Sequence, residues 1–412
     1  MSGARKRPTQ AVILAGGRGT RLAPITDTIP KAMVPFHGKP FLEWILDMLR
    51  EQGFEQVVLL LGYKAGVIRE HFGDGSRVGL DVRYEVTDPD DLTASRVRRA
   101  DHLLDETFLL LYCDNYWPMR FEDMWASYEA SGRPAQITVY TNKDGYTRDS
   151  VIVEDDGRVA VFDRKRTTPN LAGVEISYAI LDRDTVLELL PPREAFPEGD
   201  LLFEEAVYTP LAARGDLNAY VSDHRYYSVG GHERLPLTDA FFARTPTVIV
   251  DRDGTLNERP PRAQYVTTPD EFVWLPGALD ALRLLRESGH RVIVVSNQAG
   301  INRGALGAED LEAIHASMRR DVEDAGGEIA AIYHCPHDWD EECECRKPRP
   351  GMLFEAQRDF HLDLTRTPFI GDDDRDGEAA RAAGCPFEQV TDDRSLLDVV
   401  SAMTATRLNT TH

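Results

Sequence analysis

The chain has 412 residues, 42% of them apolar and 28% charged, a globular composition that excludes a disordered polymer. That length predicts roughly two or three domains, each able to bury a core. Lys and Arg number 47 against 69 Asp and Glu, and the net charge of −22 repels phosphate backbones and anionic surfaces, so neither nucleic acid nor membrane is expected as a partner.

The N-terminus is basic, but only Ala11 to Ala15 follow as an apolar run before a glycine cluster. That run is too short for a signal peptide or a spanning helix, and a cytoplasmic protein is expected. The five cysteines (Cys113, Cys335, Cys343, Cys345 and Cys385) are too sparse for a disulfide framework. Three of them crowd between 335 and 345, which points to metal.

Taken in order, Ala11–Ala15, Val57–Leu61 and Phe108–Tyr112 read as buried strands, with helices over Phe41–Gln52 and Glu122–Ala130. The alternation predicts an α/β fold with a mostly parallel sheet. Val151–Phe162 is turn-rich, and Asp156-Gly157 marks a hairpin. After a join at Ala243-Arg244-Thr245-Pro246 the pattern restarts. Thr247–Val250, Arg291–Val295 and Thr367–Ile370 read as strands, and Leu279–Glu287 and Leu311–Glu323 as helices. Two domains are expected, over 8–243 and 246–403. The tail after Thr404 is polar and expected to fray.

Gly16, Gly17 and Gly19 follow the first strand at a sharp turn. Glycines there expose backbone N–H groups that can cradle phosphate oxygens. Arg21 and Lys31 follow, with Pro24, Pro30 and Pro35 stiffening the stretch. Two cations beside phosphate-binding amides suit a polyphosphate whose charge grows during reaction. The run from Gly16 through Thr20-Arg21-Leu22 to Pro30-Lys31-Ala32-Met33-Val34-Pro35, then Gly38-Lys39-Pro40, resembles the signature of the sugar-1-phosphate nucleotidylyltransferases. The resemblance extends to about residue 240 and implies a Rossmann-like nucleotidyltransferase fold. It also implies attack of a sugar phosphate on the α-phosphate of a nucleoside triphosphate, GTP or ATP, with release of pyrophosphate.

By that resemblance Arg21 stabilises the pentavalent phosphorus, Lys31 holds phosphate, Asp114 holds Mg²⁺ and Lys165 grips the sugar phosphate. The chain departs from the pattern in three places. Ser228 stands where the family carries a second metal-binding aspartate, and a hydroxyl is a poor ligand for Mg²⁺. The turn facing the nucleobase is altered to Leu92-Thr93-Ala94-Ser95, and Leu171-Ala172-Gly173 replaces an Asn-Ala-Gly. A domain that binds a sugar nucleotide without turning it over is the alternative.

In the second half, Val248-Ile249-Val250 runs into Asp251-Arg252-Asp253-Gly254-Thr255. Two carboxylates spaced by two at a strand end imply a Mg²⁺ between them. Ser296 and Phe369-Ile370-Gly371-Asp372 end two further apolar runs, and Lys347 lies between them in sequence. Strand ends are where open α/β sheets place ligands. Together these resemble the four motifs of the haloacid dehalogenase superfamily of phosphatases, over about residues 246–392.

The resemblance assigns Asp251 as nucleophile and Asp253 as proton donor and acceptor. Ser296 and Lys347 become phosphoryl-binding groups. Asp251, the Asp253 carbonyl and Asp372 become Mg²⁺ ligands, with Asp373, Asp374 and Asp376 as weaker candidates. Cys335, His337, Cys343 and Cys345 supply three thiolates and an imidazole, a closed set for structural Zn²⁺ in a loop leading into Arg346 and Lys347. His315 reads as an ordinary histidine on a helix.

The strings Asp251-Arg252-Asp253-Gly254-Thr255-Leu256-Asn257, Ser296-Asn297-Gln298 and Cys343-Glu344-Cys345-Arg346-Lys347-Pro348 resemble the D-glycero-D-manno-heptose 1,7-bisphosphate 7-phosphatases. That resemblance implies a capless HAD-like Rossmannoid fold with a zinc loop. Arg346 then reads a second phosphate, and Asn297, Gln298, Tyr265 and Arg303 are further substrate contacts. The pairing of halves implies a bifunctional enzyme that dephosphorylates the bisphosphate and joins heptose 1-phosphate to a nucleotide. The alternative is a phosphatase for another small phosphate, such as histidinol phosphate, fused to a catalytically weak sugar-nucleotide-binding domain.

Overall fold

The computed structural model describes residues 5–192 and 201–408. The chain divides into two compact units, one running through Phe242 and the other starting at Ala243.

The first unit is built on a seven-stranded sheet in the order Leu217–Ser222, Ala135–Tyr140, Val174–Asp182, Thr107–Tyr112, Gln10–Ala15, Gln56–Leu61, Asp81–Val86. Only Val174–Asp182 runs against its neighbours; the other pairs are parallel. Gln10–Ala15 is buried along its whole length because both faces of the sheet are covered, which is why Ala11–Ala15 reads as an unbroken apolar run. Helix Phe41–Glu51 buries Phe41, Trp44, Ile45, Met48 and Leu49 on the sheet side, the spacing of one helical face. Asp156 and Gly157 turn the antiparallel hairpin of Val151–Val153 and Val159–Phe162, with Gly157 at φ 79°.

The second unit holds a five-stranded sheet in the order Ala331–Cys335, Arg291–Asn297, Thr247–Asp251, Phe369–Gly371, Phe387–Gln389. Every pairing in it is parallel. The central strand Thr247–Asp251 is buried throughout. Its carboxyl end brings Asp251 beside the strand end that carries Ser296 and Asn297, with Cys335 on the strand beyond and Asp372 following the strand on the other side. A parallel sheet therefore gathers residues far apart in sequence at one edge.

Four local expectations change. The strand expected over Thr367–Ile370 spans Phe369–Gly371, because Leu364–Arg366 forms a 3₁₀ turn and Thr367 closes it. The helix expected from Leu311 starts at Ala308, where Asp310 accepts from the Gly307 N–H and caps it. Leu92–Ser95 is not a turn: Leu92 caps a helix over Thr93–Arg99. The final helix runs through Leu408, and the rest of the tail lies outside the described residues. Among the described residues no helix is long and apolar enough to cross a membrane.

Candidate functional site

A cavity of about 880 Å³ opens at the carboxyl edge of the second sheet, lined by Asp251, Asp253, Ser296, Asn297, Gln298, Tyr265, Arg346 and Lys347 among others. Lys347 is buried and its Nζ lies 2.5 Å from Asp251 Oδ1 and 2.6 Å from Asp376 Oδ1. Burial opposes its charge, but the two carboxylates outweigh it and raise the Lys347 pKa. Burial pushes the Asp251 carboxyl up, Lys347 pulls it down, and Asp376 adds to the upward push. Asn297 holds Lys347 by its main chain, accepting from its N–H at 3.0 Å and donating to its carbonyl at 3.0 Å. Asn297, expected at the substrate, thus also fixes the ammonium.

Asp253 is held by four side chains. Arg252 reaches it with Nε and Nη2 at 3.0–3.1 Å, Asn257 donates at 3.0 Å, Gln298 at 2.8 Å and Ser296 approaches at 3.5 Å. Burial raises its pKa, but Arg252 first and Asn257 next turn the net shift downward. Gln298 also donates to Ser296 Oγ at 2.7 Å, so these two expected phosphate and substrate contacts form one network with Asp253.

The carboxylate grouped with Asp251 and Asp372 is that of Asp376, not of Asp253; the three offer oxygens within 4.8 Å of one another. The expected Asp253 ligand is its main-chain carbonyl, on which this side-chain grouping does not bear; Asp376 stands out from the weaker candidates. Asp373 instead caps helix Asp374–Ala383, with Asp376 completing the capping box, which turns Asp376 back toward the strand end. Arg259 bridges Asp372 at 2.7 Å and Asp373 at 2.9 Å. The acids thus face two cations, a donor set whose charge suits a divalent ion.

Arg303 does not line the cavity. It pairs with Asp338 at 2.7 Å and stacks on Trp339, 3.8 Å from the ring centroid. Arg346 does line it and donates to the His337 carbonyl at 3.1 Å, which ties it to the cysteine loop.

In that loop Cys335 Sγ lies 3.5 Å from His337 Nδ1 and 3.6 Å from Cys343 Sγ, and Cys345 Sγ lies 3.2 Å from His337 Nδ1. All four donor atoms fall within 4.8 Å of one another. A tetrahedron of S and N ligands around Zn²⁺ has edges of about 3.5–3.8 Å, so the set fits zinc with little adjustment.

The first unit has its own cavity of about 590 Å³, lined by Gly16, Gly17, Arg21, Lys31, Arg96, Asp114, Arg164, Arg166, Glu175 and Glu204 among others. Lys31 Nζ lies 2.6 Å from Asp114 Oδ2, and that carboxylate outweighs burial to raise the Lys31 pKa. Gly19 does not line the cavity; at φ 66° it makes the turn, and its carbonyl accepts from Thr26 Oγ1 at 3.0 Å. Ser228 pairs with Asn115 in a short antiparallel ladder, one residue from Asp114. Arg96 is buried and donates to the carbonyls of Leu61 and Asp88 at 2.8 and 2.9 Å. It sits so close to Gly16 that a Cβ there would meet its Nη1 at 2.2 Å. The altered stretch after Leu92 thus fills space beside the glycine loop with a cation.

Lys165 is exposed and is not among the lining residues; its neighbours Arg164 and Arg166 are. Arg166 sits at φ 58°, in a turn where Asp163 accepts from the main chain of Arg166, Thr167 and Thr168. Glu175 was not singled out from sequence. A register shift in its strand and a positive φ at Ser177 mark the bulge beside it. Burial, then Glu204, push its carboxyl up to about 8.

Residues 10–212 match the nucleotidyl transferase family model, and 344–404 match a HAD-hydrolase-like model. The chain is 41% identical over 138 residues to the D-glycero-beta-D-manno-heptose-1,7-bisphosphate 7-phosphatase of Bordetella bronchiseptica, covering 34% of this chain and 76% of that protein. The protein of the same name from Pseudomonas aeruginosa is 42% identical over 138 residues, with the same coverages. Among solved structures, a D,D-heptose 1,7-bisphosphate phosphatase from B. bronchiseptica with magnesium and phosphate is 33% identical, with a TM-score of 0.37, over 39% of this chain and 99% of that one. HddC from Yersinia pseudotuberculosis is 22% identical, with a TM-score of 0.46, over 57% of this chain and 99% of that one.

Proposed function

Because the chain belongs, through its second unit, to the D-glycero-β-D-manno-heptose-1,7-bisphosphate 7-phosphatase family, we propose that it carries out two steps toward a nucleotide-activated heptose. The second unit removes the 7-phosphate of the heptose 1,7-bisphosphate. The first unit, a nucleotidyltransferase domain, joins the resulting sugar 1-phosphate to a nucleoside triphosphate, GTP or ATP. The observation that carries the reading is the buried Lys347 ammonium between Asp251 and Asp376, opening on a cavity large enough for a sugar bisphosphate.

A carboxylate oxygen of Asp251 attacks phosphorus, and the bond from phosphorus to the sugar oxygen breaks. Against burial, Arg252 and Asn257 keep Asp253 ionised, so the proton it hands that oxygen arrives with the monoanionic substrate phosphate. Asp253 then takes a proton from water, whose oxygen attacks the aspartyl phosphate, releasing phosphate and restoring Asp251. Lys347 balances charge on Asp251 and on the phosphoryl oxygens, and Asn297 keeps it in place. Mg²⁺ held by Asp251, Asp372 and Asp376 would supply further charge neutralisation at the phosphoryl group. Zn²⁺ held by Cys335, His337, Cys343 and Cys345 would brace the loop carrying Arg346, the candidate reader of the second phosphate.

In the first unit Arg21 and Lys31 neutralise phosphate charge beside the amides of Gly16 and Gly17, and Asp114 would hold Mg²⁺. A second reading follows from Ser228 beside the Asp114 segment: a unit that binds sugar phosphate and nucleotide with little turnover.

The test is phosphate release from heptose 1,7-bisphosphate in Mg²⁺, and pyrophosphate release from each nucleoside triphosphate with heptose 1-phosphate. Asp251→Asn should remove the first activity and leave the second. Retention of phosphate release by that variant overturns the nucleophile assignment, and no pyrophosphate with any nucleotide favours the binding-only reading.

A further inference from the structure

Arg252 lies between the nucleophile and Asp253 in sequence, yet its side chain is 1% exposed, among the most buried large side chains of the chain. A buried guanidinium is costly unless its N–H groups are used. Nε and Nη2 fork onto the carboxylate of Asp253 at 3.0–3.1 Å. Nη1 lies 3.3 Å from His315 Nε2, on the inward face of helix Ala308–Asp324. Burial, then Arg252, hold the His315 pKa down to about 3, so the ring is neutral and its Nε2 accepts. The turn also helps: the Arg252 carbonyl accepts from Leu256 and Asn257 N–H groups, fixing the backbone from which both side chains leave.

A proton-transfer carboxylate works only while its oxygen faces the leaving group, and free rotation about its side-chain bonds costs rate. Asn257 and Gln298 also hold Asp253, but each with one bond. Among the described residues only Arg252 grips both oxygens, and it also reaches a helix on its other side. We propose that Arg252 is a positioning residue for proton transfer to the departing sugar oxygen, and that His315 is its anchor. The inference rests on Asp253 being the proton donor, and its test separates the two.

The readout is the ratio of kcat/KM for two substrates of the full chain with Mg²⁺: an alkyl phosphate, glycerol 2-phosphate, and an aryl phosphate, 4-nitrophenyl phosphate. An alkoxide needs the proton as it leaves, whereas nitrophenolate departs as a stable anion. kcat/KM reports steps only through departure of the leaving group, so the later hydrolysis of the aspartyl phosphate does not blur the comparison. Arg252→Lys, which keeps charge but not the fork, should lower kcat/KM for the alkyl substrate about tenfold more than for the aryl one. His315→Leu should give the same signature at smaller size, and His315→Gln, whose amide oxygen can accept, should restore most of it. Equal losses on both substrates from Arg252→Lys and His315→Leu, or no loss from either, overturn the proposal. Asp253→Asn serves as the reference: if it also affects both substrates equally, the reading of Asp253 as proton donor fails instead.

Discussion

Arg259 holds Asp372 at 2.7 Å with one guanidinium nitrogen and Asp373 at 2.9 Å with the other, although 113 positions separate Arg259 from Asp372. Asp372 is one of the three acids grouped around the strand ends, so a side-chain cation already engages a carboxylate suited to a divalent ion. A divalent ion bound there would compete with Arg259 for it.

Removing the competitor should therefore tighten metal binding. The Arg259 side chain is 44% exposed, so each of its ion pairs is worth at most about 1 kcal/mol. Arg259→Gln should lower the dissociation constant for Mg²⁺ about two- to fivefold, measured by titration calorimetry on the metal-free chain. Unchanged or weaker binding would mean that Asp372 is not a ligand, or that Arg259 leaves it at no cost.

Zinc content gives a second test. The purified chain should carry about one Zn²⁺, and Cys345→Ser should lose it. Burial, then Cys335 and Cys343, push the Cys345 thiol up, so the metal-free loop keeps that proton and a bound cation must displace it. Zinc should dissociate as pH falls, because the thiolates regain protons. Loss of the metal should cost several kcal/mol, or about 10 °C in Tm for a domain of this size. It should also raise KM for the bisphosphate, since Arg346 is tied to His337 within the loop.

Glu175 makes a pH prediction for the first unit. Its carboxyl is raised to about 8, by burial and then by Glu204, from an ordinary value of 4.5. Between those values the folded chain holds the proton and the unfolded chain releases it. Stability therefore falls as pH rises through that window, and the penalty is complete above it. Glu175→Gln removes the ionisation. Its Tm advantage over the parent should be near zero at pH 4, grow steadily to pH 8 and then level off. An advantage that is flat with pH would place the carboxylate in water.

How much of this was legible in the sequence depends on what fixes each side chain. Asp251, Ser296 and the end of Phe369–Gly371 were readable because apolar runs identify parallel strands and strand ends meet at one edge. The cysteine spacing was readable for the same local reason. Asp376 was not singled out from its acidic neighbours, because a helix cap decides which of four acids turns inward. Arg259, and His315 as an anchor, were not readable at all: their partners lie 113 and 63 positions away, and nothing local marks them. Arg303 reads as a substrate contact from its motif, but the cysteine loop supplies Asp338 and Trp339 as closer partners.

The stretch Arg164-Lys165-Arg166 sets the motif against geometry most directly. Resemblance assigns the sugar-phosphate grip to Lys165, whereas the cavity is lined by the arginines on either side. The cause is a locked turn. The Asp163 carboxylate accepts from Thr167 and Thr168, from both main chain and hydroxyl, and those bonds hold it well below the usual carboxylate range. With its ends fixed, the turn takes its positive φ at Arg166. Lys165→Ala should then leave KM for a sugar 1-phosphate within about twofold, and Arg166→Gln should raise it about tenfold or more through loss of a charge-assisted contact. Initial-rate measurements of pyrophosphate release decide it, or calorimetric binding of the sugar phosphate if turnover is slow. The reverse ranking would mean that the loop closes differently over its ligand and brings Lys165 inward.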